Sequence, residues 1–249
     1  MPRLMLSDEL WSNLEKILVQ QAIYRKPDLR MTVEGTLYRM RVGCPWRDLP
    51  RAFGYWNSVY KRFNAWSAAG KLLRVFNALI EEPDFEWMFI DGTYIKAHPH
   101  SAGAASRQPE AIGKSRAGHT SKIHLAVDAY GLPVAFRLTG GNINDSTEAP
   151  GLIAQLPSGE AIVADKGCDS ERIREQIEDQ GARPVIPRKR NSLKGNADLD
   201  KGLYRYRHLV ENAFARLKHY RAVAFRYDKL KRNYESMVAM ACGFLWLPM

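Results

Sequence analysis

Apolar residues recur along this chain first at helical spacing and then, from about residue 86, at the alternating or continuous spacing of strands. Leu10, Leu14, Ile17 and Leu18 form a stripe behind Ser7-Asp8-Glu9, which caps a helix and places acid at the positive end of its dipole. Val33, Leu37 and Met40 predict a second helix over 32–41, closed by Gly43. After the turn-rich stretch 44–54, a third helix carries Trp56, Val59, Tyr60, Phe63 and Trp66 on one side and Lys61 and Arg62 on another. Strands are then predicted over 87–97 (WMFIDGTYIKA), 122–129 (KIHLAVDA) and 133–139, the last two joined by a turn at Tyr130-Gly131. A helix over 147–156, a buried strand over 161–164, a helix over 170–180 and a strand near 184–186 follow.

This order predicts two consecutive domains: a small all-α domain over 1–82 and an α/β domain, a mixed sheet flanked by helices, over 83–249. The amino-terminal part fits a helix-turn-helix domain whose last helix enters the DNA major groove, with Lys61 and Arg62 on the backbone. A helical bundle serving dimerisation fits the same pattern. The stretch 98–121, rich in Ala, Ser, Gly and His and carrying Arg107, Lys114 and Arg116, is expected to be a flexible basic loop.

Charge sharpens the picture once it is located. The segment from Arg183 to Arg232 holds fifteen Lys or Arg against four Asp or Glu, a surplus of eleven, while the rest of the chain holds 22 against 23. One basic stretch suggests a polyanion partner, although a solvated basic face has the same composition. No stretch approaches the roughly 18 apolar residues of a membrane span, so a soluble, cytoplasmic protein is expected. Cys44, Cys168 and Cys242 lack the spacing of a disulfide framework or a zinc site.

Three acids carry the candidate chemistry. Asp91 interrupts an apolar strand, where an uncompensated carboxylate is costly to bury. Asp165 ends the apolar run AIVAD before Lys166-Gly167, at the carboxyl end of a buried strand where open α/β sheets bind ligands. If those strands are neighbours the two carboxylates face each other, which favours a bound cation or a raised pKa. Glu211 lies in YRYRHLVENAFARLKHYRAV, where one continuous helix would align Tyr204, Arg207, Glu211 and Lys218 within a stripe about 60° wide. A turn or cap role for each aspartate, and a solvent-facing row for the stripe, are the plainer alternatives. Asp128 and Asp145 are read as structural, one before a hairpin turn and one at a helix start.

The spacing Y-x2-R-x3-E-x6-K at Tyr204, Arg207, Glu211 and Lys218 resembles the signature of bacterial insertion-sequence DDE transposases. IDGTYIKAH (90–98), KIHLAVDAYGLPV (122–134), GNINDS (141–146) and ADKGCDS (164–170) resemble the same family, in the group related to insertion sequence five. CPWRDLP and GYWNSVYKRFNAW resemble that group's leading helical domain. Cys168 departs from the tyrosine usual after DKG in this group, and the closing CGFLWLPM also departs from its pattern.

The resemblance implies a ribonuclease H-like fold, with Asp91, Asp165 and Glu211 as catalytic metal ligands for two Mg²⁺ ions, or Mn²⁺ in their place. It also implies double-stranded DNA as partner, both terminal inverted repeats and target, with a homodimer or larger assembly on DNA in the bacterial nucleoid. Tyr204, Arg207 and Lys218 would then contact DNA, with Lys96 and Lys166 adding charge. The expected activity is cutting at the repeats and joining of 3′ ends to target by two-metal-ion chemistry. A ribonuclease H-like nuclease without strand transfer and a non-catalytic DNA-binding remnant are the rival readings.

Overall fold

The computed structural model describes residues 3–102 and 110–247. Along the chain run helices α1 (Asp8–Gln20), α2 (Leu29–Val42), α3 (Trp56–Ala68) and α4 (Lys71–Leu79), then strands β1 (Trp87–Ala97), β2 (Gly113–Ser115), β3 (Gly118–Val127) and β4 (Pro133–Gly140). Helix α5 (Asp145–Ile153), strand β5 (Ala161–Ala164), helix α6 (Glu171–Asp179) and strand β6 (Arg183–Val185) follow. Helices α7 (Lys201–Tyr204), α8 (His208–Lys218) and α9 (Arg221–Ala224), the two-residue strand β7 (Phe225–Arg226) and helix α10 (Lys231–Trp246) complete the order.

Two compact units result, each assembled from stretches that are apart in the sequence. The first gathers Met1–Glu81, Ala97–Glu110 and Leu217–Met249; the second comprises Glu82–Lys96 and Ala111–Arg216. The reason is apolar burial. Helix α10 is polar only at its start, and Tyr234, Met237, Val238, Ala241 and Cys242 on it are fully buried. It seals the core that Leu14, Leu18, Val33, Leu37, Leu72 and Val75 leave open. Gly243 permits the approach, since a Cβ there would stand 2.8 Å from Leu79 Cδ1.

Within this helical unit, Ser7 caps α1 by accepting from the Leu10 N–H, and Gly43 ends α2 in the left-handed conformation at φ +72°. Both follow the sequence expectation. Arg39 on α2 clasps Asp228 through Nη1 and Nη2 at 3.2 Å, with both side chains at 7% exposure or less.

The second unit is a mixed sheet in the order β4–β3–β1–β5–β6, with β2 extending the outer edge of β3. Strands β1, β3 and β4 pair antiparallel, and β5 and β6 run parallel to β1. An antiparallel meander continued by two parallel strands with intervening helices is the ribonuclease H-like arrangement expected from the sequence. Met88, Phe89, Ile90, Ile162 and Val163 are buried in the central strands, as expected of runs apolar on both faces.

Within 98–121, residues Pro99–Ala102 form a 3₁₀ turn and Gly113–Ser115 pairs with Gly118–Thr120 as a tight hairpin. Gly118, at φ +92°, supplies the turn, and residues 103–109 lie outside those described. The predicted continuous helix through 204–218 is interrupted by a 3₁₀ turn at Arg205–Arg207, where His208 Nδ1 lies 2.9 Å from the Arg205 carbonyl oxygen.

Candidate active site

Strand pairing brings the first two acids together. Ile90 pairs with Ala164 at the end of the parallel β1–β5 ladder, so Asp91 and Asp165 each stand one residue past the last pair. Asp165 bends back to accept the Gly167 N–H at 2.8 Å, capping the short turn that follows. Asp91 accepts the Gly92 N–H at 2.8 Å.

Glu211 arrives from α8 through Arg207. The Arg207 guanidinium donates Nη1 to Asp91 Oδ2 at 3.0 Å and Nη2 to Glu211 Oε1 at 2.6 Å, bridging residues far apart in sequence. Tyr204 also stands near Arg207. In a 3₁₀ turn residues three apart eclipse, so Tyr204 and Arg207 keep the shared side that an unbroken helix was expected to provide.

Burial raises the Asp91 pKa; the Gly92 N–H and Arg207 oppose it, while the neighbouring Asp165 and Asp145 carboxylates add to it. For Arg207, burial works against the charge, and the two carboxylates it bridges more than compensate, so its pKa is raised. The cluster is therefore a partly buried accumulation of negative charge with one guanidinium inside it. Among the described residues no group of three or more His, Cys, Asp or Glu is arranged to hold a metal ion. The donor chemistry still suits a hard divalent cation, since hard oxygens concentrate at one strand end and are matched there by the positive charge of Arg207.

The sequence reading set aside a fourth acid that the structure brings to this place. Asp145, the first residue of α5, receives Lys122 Nζ at 2.6 Å, and His124 Nδ1 lies 3.0 Å from its other oxygen. Burial disfavours its charge, but His124 and Lys122 together hold its pKa below the ordinary value. His124 Nε2 lies 2.8 Å from Thr139 Oγ1, and Lys122 Nζ sits 4.6 Å from the centre of the Tyr94 ring. Both basic side chains are almost fully buried. Their signal was present in the strand KIHLAV, where two basic residues at alternate positions share one face of an otherwise apolar run.

Gly92 is what admits Asp145. A Cβ at Gly92 would stand 2.1 Å from Asp145 Oδ1 and 2.8 Å from Lys122 Cε, so only glycine fits beside this network. Gly92→Ala is accordingly expected to cost about 1–3 kcal/mol, as overpacked substitutions do. Urea unfolding of the variant measures it, and an unchanged midpoint would show that Asp145 yields freely.

The remaining sequence candidates divide. Lys166 follows Asp165 in an exposed turn and Lys96 is exposed near the end of β1. Lys218 closes α8 two turns beyond Glu211, and burial lowers its pKa. Lys61 is exposed on α3, whereas Arg62 is committed to Asp28 at 2.8 Å and Thr32 Oγ1 at 2.7 Å, so it holds α2 and α3 together. Part of the basic surplus is likewise used internally: Arg183 pairs with Asp200, Arg188 and Lys194 with Glu171, and Arg226 is fully buried. Asp128 accepts from the backbone of Asp84, Tyr130 and Leu132 and organises the hairpin turn, as read from the sequence. Cys168 is buried beside Asp91, His124 and Asp145, and burial pushes its thiol up to about 12, so it is inert as a nucleophile. No helix among the described residues is long and apolar enough to cross a membrane.

Two family models match the chain. One, described as "Transposase DDE domain", covers residues 83–246, and the other, "Putative transposase of IS4/5 family", covers 6–76. Among curated relatives, the "Putative transposase for insertion sequence element IS402" of Burkholderia cepacia is 32% identical over 151 residues, 56% of this chain and 68% of that one. The "Putative transposase for insertion sequence element IS6501" of Brucella ovis is 32% identical over 129 residues, 51% of this chain and 98% of that one. Among solved structures, the Mos1 mariner paired end complex with Mn aligns over 98% of this chain and 78% of that one, at 9% identity and a TM-score of 0.29. That likeness is too slight to bear on the fold.

Proposed function

The chain belongs to the family of transposases with a DDE domain, and from that premise we propose that Asp91, Asp165 and Glu211 are its catalytic triad. In this reading the enzyme cuts at the terminal inverted repeats of an insertion sequence and joins the 3′ ends to target DNA. The observation that carries the proposal is the Arg207 bridge, which draws Glu211 to Asp91 beside Asp165 from three separate elements.

Two divalent ions held by these carboxylates, Mg²⁺ in the first instance, would supply positive charge to the attacking and leaving oxygens. The chain's own groups do the rest. Arg207 holds the carboxylates together until substrate arrives, then turns its guanidinium to a DNA phosphate, for which its fork of donors is suited. Lys166, Lys96 and Lys218 add backbone contacts, and Tyr204 packs beside them. The Lys122–Asp145–His124 network fixes the face of β1 behind Asp91 without touching substrate. The amino-terminal helices, with Lys61 exposed on α3, help grip the terminal repeat as a homodimer or larger assembly on double-stranded DNA.

A precut terminal repeat offered with a supercoiled plasmid tests this reading. Joined product that depends on Mg²⁺ or Mn²⁺ is expected. Cleavage without joined product would favour a nuclease, and binding without either reaction in any divalent metal would leave a non-catalytic DNA-binding protein.

A further inference from the structure

A second concave surface lies wholly within the helical unit. It is a cavity of about 1310 Å³ between the end of α2, the turn 44–47, the start of α3 and the segment 227–233. Its volume exceeds the roughly 300–1,000 Å³ of ordinary small-molecule sites, so it suits a short stretch of polymer better than a metabolite.

The lining chemistry narrows the occupant. Trp46, Trp56, Tyr60 and Tyr227 contribute aromatic surface, and Tyr227 is 52% exposed. Arg47 and Lys229 are exposed cations on the same lining. Among the described lining residues the one acid is Asp228, which is paired with Arg39, so that lining presents net positive charge.

Buried polar atoms on this lining supply an independent pointer. Arg39 is 5% exposed and Asn233 is 4% exposed, yet Arg39 Nε and Asn233 Oδ1 make no hydrogen bond, nor does the buried Trp46 Nε1. Unsatisfied buried donors and acceptors are costly, so their collection around one cavity favours a ligand that both accepts and donates. Unpaired nucleobases have flat faces for the aromatics, edges carrying both donors and acceptors, and anionic phosphates for the rim. A paired duplex hides those faces and edges.

We propose that this cavity binds unpaired nucleotides of a DNA strand, with bases against Trp56, Tyr60 and Tyr227 and phosphates on Arg47 and Lys229. The site is separate from the carboxylate cluster and does not depend on its chemistry.

Binding of the full chain to a labelled oligothymidylate of about ten nucleotides, and to a blunt duplex of the same length, tests it by fluorescence anisotropy without divalent metal. Tyr227→Ala removes a half-exposed ring that also stacks on His98 at 4.9 Å and packs against Phe225 at 5.0 Å, so a thermal melt of the variant is recorded beside the binding, with Tyr227→Phe, which keeps a ring there, as the control. The alanine variant is expected to weaken single-strand binding roughly tenfold, the scale of one lost base–aromatic stack, and to leave duplex binding within about twofold. The double variant Arg47→Ala/Lys229→Ala is expected to flatten the salt dependence of single-strand binding. Equal losses on both oligonucleotides, or none on either, would overturn the proposal. Displacement of the oligonucleotide by equimolar thymidine monophosphate would also overturn it, by making a free nucleotide the occupant.

Discussion

Asp165→Asn is expected to abolish DNA cutting and joining, a loss of at least about 10³-fold, while leaving salt-sensitive DNA binding intact. On the proposed role of Asp165 as a metal ligand, the magnitude follows from losing an ion that would stabilise several kcal/mol of transition-state charge, at about 1.4 kcal/mol per tenfold. The same substitution should leave stability unchanged or slightly raised. Asp165 adds repulsion that pushes the Asp91 carboxyl upward, and its amide replacement removes that repulsion while its side-chain oxygen still accepts the Gly167 N–H. Lost turnover with an undiminished thermal midpoint is therefore the signature sought, since active-site acids are held at the expense of stability. Full cleavage by this variant would remove Asp165 from the triad, and a collapsed midpoint would make it a structural cap.

The largest stability effect is expected within the helical unit, from Asp228→Ala. Arg39 and Asp228 are both nearly inaccessible, and their bidentate contact joins α2 to the segment before α10. Removing the carboxylate leaves a buried guanidinium that keeps only its stacking over Trp46, at 4.7 Å from the ring centre. Breaking one side of a buried ion pair costs about 3–5 kcal/mol because the remaining charge is uncompensated. Chemical unfolding should show that loss, and Arg39→Met combined with Asp228→Ala should recover a good part of it. A single variant as stable as the parent would mean that water already reaches the pair.

The sequence disclosed those elements whose signals are local. Trp87–Ala97 and Ala161–Ala164 were bounded correctly because continuous apolar runs between turn residues leave few alternatives. Ser7 and Gly43 were legible because a cap and a left-handed terminus each require particular side chains. The approach of Asp91, Asp165 and Glu211 could be argued only from a family resemblance, because register between β1 and β5 and the reach of Arg207 are tertiary facts. The partners of Asp145, read from the sequence as a structural residue at a helix start, were hidden for the same reason. Its position at the start of α5 is an ordinary place for an acid, and its partners Lys122 and His124 lie on another strand. The break at Arg205–Arg207 escaped notice because no proline or glycine marks it.

The discontinuous make-up of the helical unit has a consequence for how the protein is born. Its opening 81 residues emerge from the ribosome with the apolar flank of α4 uncovered, and the helix that covers it begins only at Lys231. Strands β1 to β6, the last ending at Val185, are all made before that helix. A polypeptide stalled between Arg216 and Lys231 carries the whole of the second unit and a helical unit still open to proteases, until the sixteen-residue helix α10 is made.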